Sequence, residues 1–115
     1  MKLWVDDVRP APKGYVWCNS VNDAINTIKL REARISNILR NYTPSEMRIK
    51  DLSIQIIDID HDAGEYAQYG GDYIELLNWL EETGRNYPIR IHSMNPVGVE
   101  NMRRIIQRNG WTEVK

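Results

Sequence analysis

The chain has no phenylalanine, a single cysteine, two histidines and no long apolar run in its 115 residues. A solitary Cys18 excludes a disulfide framework and a cysteine-based zinc site, and it points to a reducing compartment, the cytoplasm. No stretch approaches the roughly 18 consecutive apolar residues of a membrane-crossing helix. Met1-Lys2-Leu3-Trp4 runs straight into a strand-like segment, so neither a signal peptide nor a membrane span is expected. An excess of one charge is also missing. Lys and Arg total 15 against 16 Asp and Glu, a net charge of −1, which gives no support to the electrostatic coating of nucleic acid or of a membrane surface. What remains is 42% apolar and 27% charged, the composition of one globular domain spanning residues 1–115. Its aromatic bulk must come from Trp and Tyr.

The most informative stretch is Ile54-Gln55-Ile56-Ile57-Asp58-Ile59-Asp60-His61-Asp62-Ala63-Gly64. A nearly unbroken apolar run reads as a strand buried on both faces, as in a parallel sheet. It stops abruptly in Asp-His-Asp and a glycine. Before it, Lys2–Asp6 and Tyr15–Cys18 read as strands, separated by Val8-Arg9-Pro10-Ala11-Pro12-Lys13-Gly14, in which two prolines forbid a long helix. Ser20 caps a helix over most of 21–40, with Asp23 in its first turn and charged Arg31 and Glu32 as a candidate break. Thr43-Pro44-Ser45-Glu46 and Asp72-Tyr73-Ile74-Glu75 both have capping-box spacing. The second opens a helix with Tyr73, Leu76, Leu77 and Leu80 on one face, stopped by Gly84. Pro88–Ser93 is a fourth strand, Asn95-Pro96 starts a last helix that Gly110 ends, and Trp111–Val114 is a candidate fifth strand. Strands alternating with helices give an α/β fold: a mostly parallel sheet of four to five strands with helices on both faces. The first connection is short for a parallel crossover, so the direction of the second strand stays open.

Ligands of open α/β sheets bind beyond the carboxyl ends of the strands. Three strands deliver chemistry to that rim: Asp6 and Asp7, then Asp60-His61-Asp62, then His92-Ser93, with Arg9 beside the first. Both histidines of the chain are there, and histidine serves as acid, base or metal ligand near neutrality. Ser93 and Asn95 lead into a helix N-terminus whose free amides attract anions, and Gly98 admits close backbone approach. With Arg9 as a clamp, Ser93, Asn95 and Gly98 make a candidate phosphate site. Asp6, Asp7 and Asp60 offer oxygen ligands to a hard cation, magnesium or manganese. Asp58 shares a face with Asp60 but lies deeper, which suits a structural role as well as a site role.

Val5-Asp6-Asp7, Ile59-Asp60 and Ile91-His92-Ser93 fall where response-regulator receiver domains carry their acidic pair, phosphoacceptor aspartate and Ser/Thr. The longer motifs Leu3–Pro12, Asp60-His61-Asp62-Ala63-Gly64 and His92-Ser93-Met94-Asn95-Pro96-Val97-Gly98 resemble the divergent group called cyclic-phosphate processing receiver domains. That resemblance implies a flavodoxin-like, receiver-like domain with a reduced first crossover, and a proposed activity on cyclic phosphates. Ordinary receivers differ in having a Lys-Pro pair after a fifth strand and a helix between the first two strands, so phosphorelay signalling is not the expectation.

Three functional expectations follow. In the first, the chain is a phosphoesterase: His61 and His92, supported by Asp60 and Asp62, open a cyclic phosphate of nucleotide or RNA-end type as an acid–base pair, while Arg9, Ser93, Asn95 and Gly98 hold the phosphate. In the second, Asp6, Asp7 and Asp60 bind a divalent metal that activates the water. In the third, the domain is a receiver-like module that binds a nucleotide or partner without turnover. In all three the partner is a small phosphorylated or cyclic-phosphate ligand, or a protein in the third.

Overall fold

Alternation with a period of two sorts the strand residues into two faces. Leu3, Val5, Cys18, Ile57, Ile59 and Ile89 lie on one face and are all buried. Trp4, Trp17, Asp58 and Arg90 lie on the other, in register across the sheet. In the computed structural model, which describes residues 1–41 and 52–115, the strands are β1 (Lys2–Val5), β2 (Tyr15–Cys18), β3 (Ile56–Ile59) and β4 (Ile89–Ile91). They form one sheet in the order β2-β1-β3-β4, and every pairing is parallel. Among the described residues three α-helices accompany them: α1 (Val21–Asn41), α2 (Ile74–Glu82) and α3 (Pro96–Asn109), with a 3-10 helix at Gly64–Tyr69. The α/β receiver-like architecture is therefore present, with four strands.

β2 runs parallel to β1, and two indoles hold the short connection between them. Trp4 donates its N–H to the carbonyl of Arg9 at 2.9 Å, and Trp17 donates to the carbonyl of Asp6 at 2.8 Å. These pins let a loop much shorter than a helical crossover return the chain parallel to itself. The right-handed crossover rule puts connections running toward β2 and toward β4 on opposite faces. The helices accordingly share the apolar face: Val21, Ala24 and Ile28 of α1, Leu76, Leu77 and Leu80 of α2, and Met102, Ile105 and Ile106 of α3 join one core with its strand residues. The other face, where a first crossover helix would lie, carries the Pro-rich loop. Among the described residues, the expected helices on both faces become helices on one and a loop on the other.

Local signals were mostly obeyed. Ser20 Oγ accepts the N–H of Asp23 at 3.0 Å, and Asp23 accepts the N–H of Asn19 at 3.3 Å, a reciprocal cap. Arg31 and Glu32 do not break α1. Glu32 instead accepts a two-pronged hydrogen bond from Arg85 and one from the Tyr87 hydroxyl, while Arg85 stacks 4.3 Å from the Trp79 ring centre, tying α1 to the segment after α2. The capping box at Asp72 does not form, because its carboxylate accepts the N–H of Ala63 at 3.0 Å and α2 starts without a side-chain cap. The fifth strand shrinks to a parallel bridge between Ile89 and Glu113. The Thr43–Glu46 signal lies outside the described residues.

Candidate functional site

Because residues two apart share a face, Trp4 and Asp6, Asp58 and Asp60, and Arg90 and His92 rise from three adjacent strands on the side opposite the core. His92 sits at their centre. Its Nδ1 is 2.6 Å from Asp58 Oδ1 and its Nε2 is 2.8 Å from Asp6 Oδ2. The ring stacks on Trp4, with centroids 3.9 Å apart and planes within 2°. Side-chain exposures of 9% for His92, 2% for Asp58 and 0% for Asp6 put the trio out of water. Arg90 completes the row with a 3.0 Å bond to Asp58 Oδ2. Two carboxylates can be satisfied by one ring only if both nitrogens carry protons. Burial alone pushes the His92 imidazole down, but the hydrogen bonds to Asp58 and Asp6 outweigh it and hold its pKa above the ordinary value. Burial likewise pushes Asp6 up, and the N–H of Arg9, His92 and the N–H of Val8 overcome that and keep it low. Both nitrogens of His92 are thus engaged by carboxylates, an arrangement that favours the protonated ring and leaves no nitrogen for a ligand.

His61 is built differently. Its Nδ1 lies 3.0 Å from Asp62 Oδ1, and its side chain is 15% exposed. No residue among those described pairs with its Nε2. Asn95 supports this dyad from the helix: its Oδ1 caps Gly98 N–H at 3.0 Å, while Nδ2 reaches Asp62 Oδ2 at 3.4 Å. Gly98 is needed for packing, since a Cβ there would collide with Cγ of the His61 ring. The expected phosphate ligands Asn95 and Gly98 are therefore engaged in seating His61. The first turn of α3 has little left for an anion: Pro96 has no N–H, and those of Gly98 and Val99 are taken by Asn95. Ser93 Oγ accepts the Asn95 N–H at 3.1 Å and keeps its own proton to donate.

Asp6, Asp7 and Asp60 do come together, each offering an oxygen within 4.8 Å of the others. Asp7 packs against Gly64, whose positive φ of 56° and missing side chain leave room for the carboxylate. Burial, and then the charges of Asp6 and Asp60, raise the Asp7 pKa. Arg9 answers part of this charge, with Nη1 3.4 Å from Asp6 Oδ2, 3.8 Å from Asp60 Oδ2 and 3.5 Å from the His92 carbonyl. The rim still holds five carboxylates, of Asp6, Asp7, Asp58, Asp60 and Asp62, against the cations of Arg9, Arg90 and His92. An anion enters such a place only with an added cation. The donor set fits a hard divalent ion: carboxylate oxygens only, mutually repelling, one of them with its pKa raised by burial and by the charges of its neighbours.

Trp4 and Arg90 were missed in the sequence, and Asp58 was left undecided. The parity that unites positions 4, 6, 58, 60, 90 and 92 was the available signal, but it has meaning only once the strands are known to be neighbours. No helix among the described residues is long and apolar enough to cross a membrane. A family model described as the cyclic-phosphate processing receiver domain matches residues 1–108. No curated protein and no solved structure matches the chain.

Proposed function

This chain belongs to the cyclic-phosphate processing receiver domains, and from that premise we propose that it hydrolyses a cyclic phosphodiester with His61 as its acid–base group and Asp6, Asp7 and Asp60 as the seat of a divalent cation. One observation carries the reading: His92 is held by carboxylates on both nitrogens, whereas His61 has Nδ1 held by Asp62 and an Nε2 with no partner among the described residues. A pair of exchanging histidines does not suit this arrangement. In the dyad, Asp62 accepts from Nδ1–H, so the lone pair sits on Nε2, where it takes a proton from the attacking water. The water oxygen bonds to phosphorus, one ring P–O bond breaks, and the released oxygen takes a proton from solvent, leaving a phosphomonoester. Arg9 and the Ser93 hydroxyl donate to the phosphoryl oxygens. His92, bonded on one side to Asp58, orients Asp6 and keeps it ionised. Magnesium or manganese on the three carboxylates would supply the missing positive charge and polarise the phosphoryl group.

The test is turnover of nucleoside 2′,3′- and 3′,5′-cyclic phosphates by wild type, His61→Ala and Asp60→Ala, with magnesium or manganese and with EDTA. Chelator-sensitive turnover that falls by about 10²–10⁴-fold in His61→Ala is expected. Activity that resists EDTA and survives His61→Ala would defeat the proposal. Binding without turnover would leave the non-enzymatic module as the better reading.

A further inference from the structure

Exposed apolar side chains are not scattered evenly over this protein. Among the described residues, large hydrophobic side chains stand exposed at Val8, Val16, Trp17, Leu30, Leu39, Tyr66, Tyr69, Met94 and Val97. Five of these belong to the segments that frame the charged rim. Val8 donates its N–H to Asp6. Met94 lies between Ser93 and Asn95, and Val97 lies next to Gly98, on which the His61 ring packs. Tyr66 follows Gly64, the seat of Asp7, and its ring centre is 6.4 Å from that of Tyr69. Met94 is 84% exposed, Val8 74% and Val97 69%. Single exposed apolar residues need no explanation, but a concentration of them around one site marks contact with a ligand or partner.

We propose that this collar receives the heterocyclic base of a nucleoside cyclic phosphate, so that the substrate class is nucleotide or RNA-end rather than a cyclic phosphate of glycerol or another polyol. The inference rests on the function proposed above. A polyol cyclic phosphate is polar throughout and gains nothing from thioether, valine and tyrosine surfaces. A nucleoside carries its charge at one end and a flat π-system at the other, which matches a charged pit with an apolar surround. Tyrosine rings stack on bases of any sequence, and a methionine thioether adapts to a ring edge or face. Stacking of this kind depends on the π-face that every base has, so it does not by itself select one base.

Isothermal titration, in calcium to limit turnover, compares adenosine 2′,3′-cyclic phosphate with glycerol 1,2-cyclic phosphate on wild type and on Tyr66→Ala/Met94→Ala. Both substituted positions are exposed, so the fold should be retained, which circular dichroism checks. The nucleotide should bind wild type at least about tenfold more tightly, a difference that the double variant erases while binding glycerol cyclic phosphate unchanged. Equal affinities in wild type, or equal losses for both ligands in the variant, would overturn the base collar and leave the phosphate chemistry standing. Failure of both ligands to bind would overturn both proposals. A variant that binds both normally but changes the protein's sedimentation would assign these side chains to a protein partner instead, and the collar proposal would fall.

Discussion

Replacing His92 by alanine isolates what holds the site together. The change removes two charged hydrogen bonds, at 2.6 and 2.8 Å, and a stacked ring from a place that water does not reach. Asp58 keeps its bond to Arg90, and Asp6 keeps the amides of Val8 and Arg9. The loss should therefore fall at the lower end of the range for breaking a buried ion pair, about 3 kcal/mol, with roughly a further 1 kcal/mol from the vacated Trp4 face. Against a typical domain stability of about 5–15 kcal/mol this is a large fraction. Urea unfolding as a function of pH is the assay. His92 is held above its ordinary 6.5, so its contribution is whole below about pH 6.5 and fades as the pH climbs through the raised value. Asp6 is held below its ordinary 3.8, so its share is whole above about pH 3.8 and fades as the pH falls through the lowered value. Wild type should be most stable between these limits, and His92→Ala should show its largest deficit near pH 6. A double-mutant cycle with Asp58→Asn should return a coupling above about 1 kcal/mol. A deficit below about 1 kcal/mol at pH 6, with an unchanged pH profile, would refute the doubly bonded imidazolium.

Gly98→Ala should cost about 1–3 kcal/mol, because a Cβ would overlap the root of the His61 ring and a helix-propensity gain of about 1 kcal/mol offsets only part of that crowding, so the fold itself should survive. It should nonetheless displace the His61 ring, visible in imidazole nitrogen NMR, and lower turnover by about tenfold or more; unchanged imidazole signals would show that the contact is slack. With both nitrogens of His92 held by carboxylates, the pH–rate profile of wild type should not be bell-shaped, and a bell near neutrality would return His92 to the chemistry. Asp7 is raised above its ordinary 3.8, so its ionisation costs stability at neutral pH. Asp7→Asn should accordingly raise the unfolding free energy from urea titration slightly, by less than about 1 kcal/mol, while weakening manganese binding measured by calorimetry.

The elements that were legible from sequence are those that carry their own punctuation. Ser20 with Asp23, Asn95 with Pro96, and the acidic ends of β1 and β3 each state a boundary within a few residues, and the structure follows them. Asp72 had equally good local spacing, yet Ala63, nine residues away, claims its carboxylate. Glu32 looked like a break because Arg85, 53 residues distant, could not be seen as its partner. The candidate site divides in the same way. The carboxylates at the rim were visible because charge after an apolar run is locally anomalous. The difference between His61 and His92 was not, because it depends on Asp58 and Asp6 arriving from other strands. Asn95 and Gly98 were noticed for a helix start and a close approach; which group makes the approach is a tertiary fact.

The two indole pins on the Pro-rich loop bear on how the chain folds. Joining β1 to β2 closes a short segment, whereas joining β1 to β3 must bring together residues such as Met1 and Ser53, 52 positions apart. Loop closure is cheaper for the first pair, so the β1–β2 unit with Trp4 and Trp17 in place is the expected early structure, onto which β3 and β4 later dock. Substitutions at the pinned indoles should then slow folding, and substitutions in β4 should mainly speed unfolding. Stopped-flow chevrons with the opposite pattern would place the nucleus on the far side of the sheet.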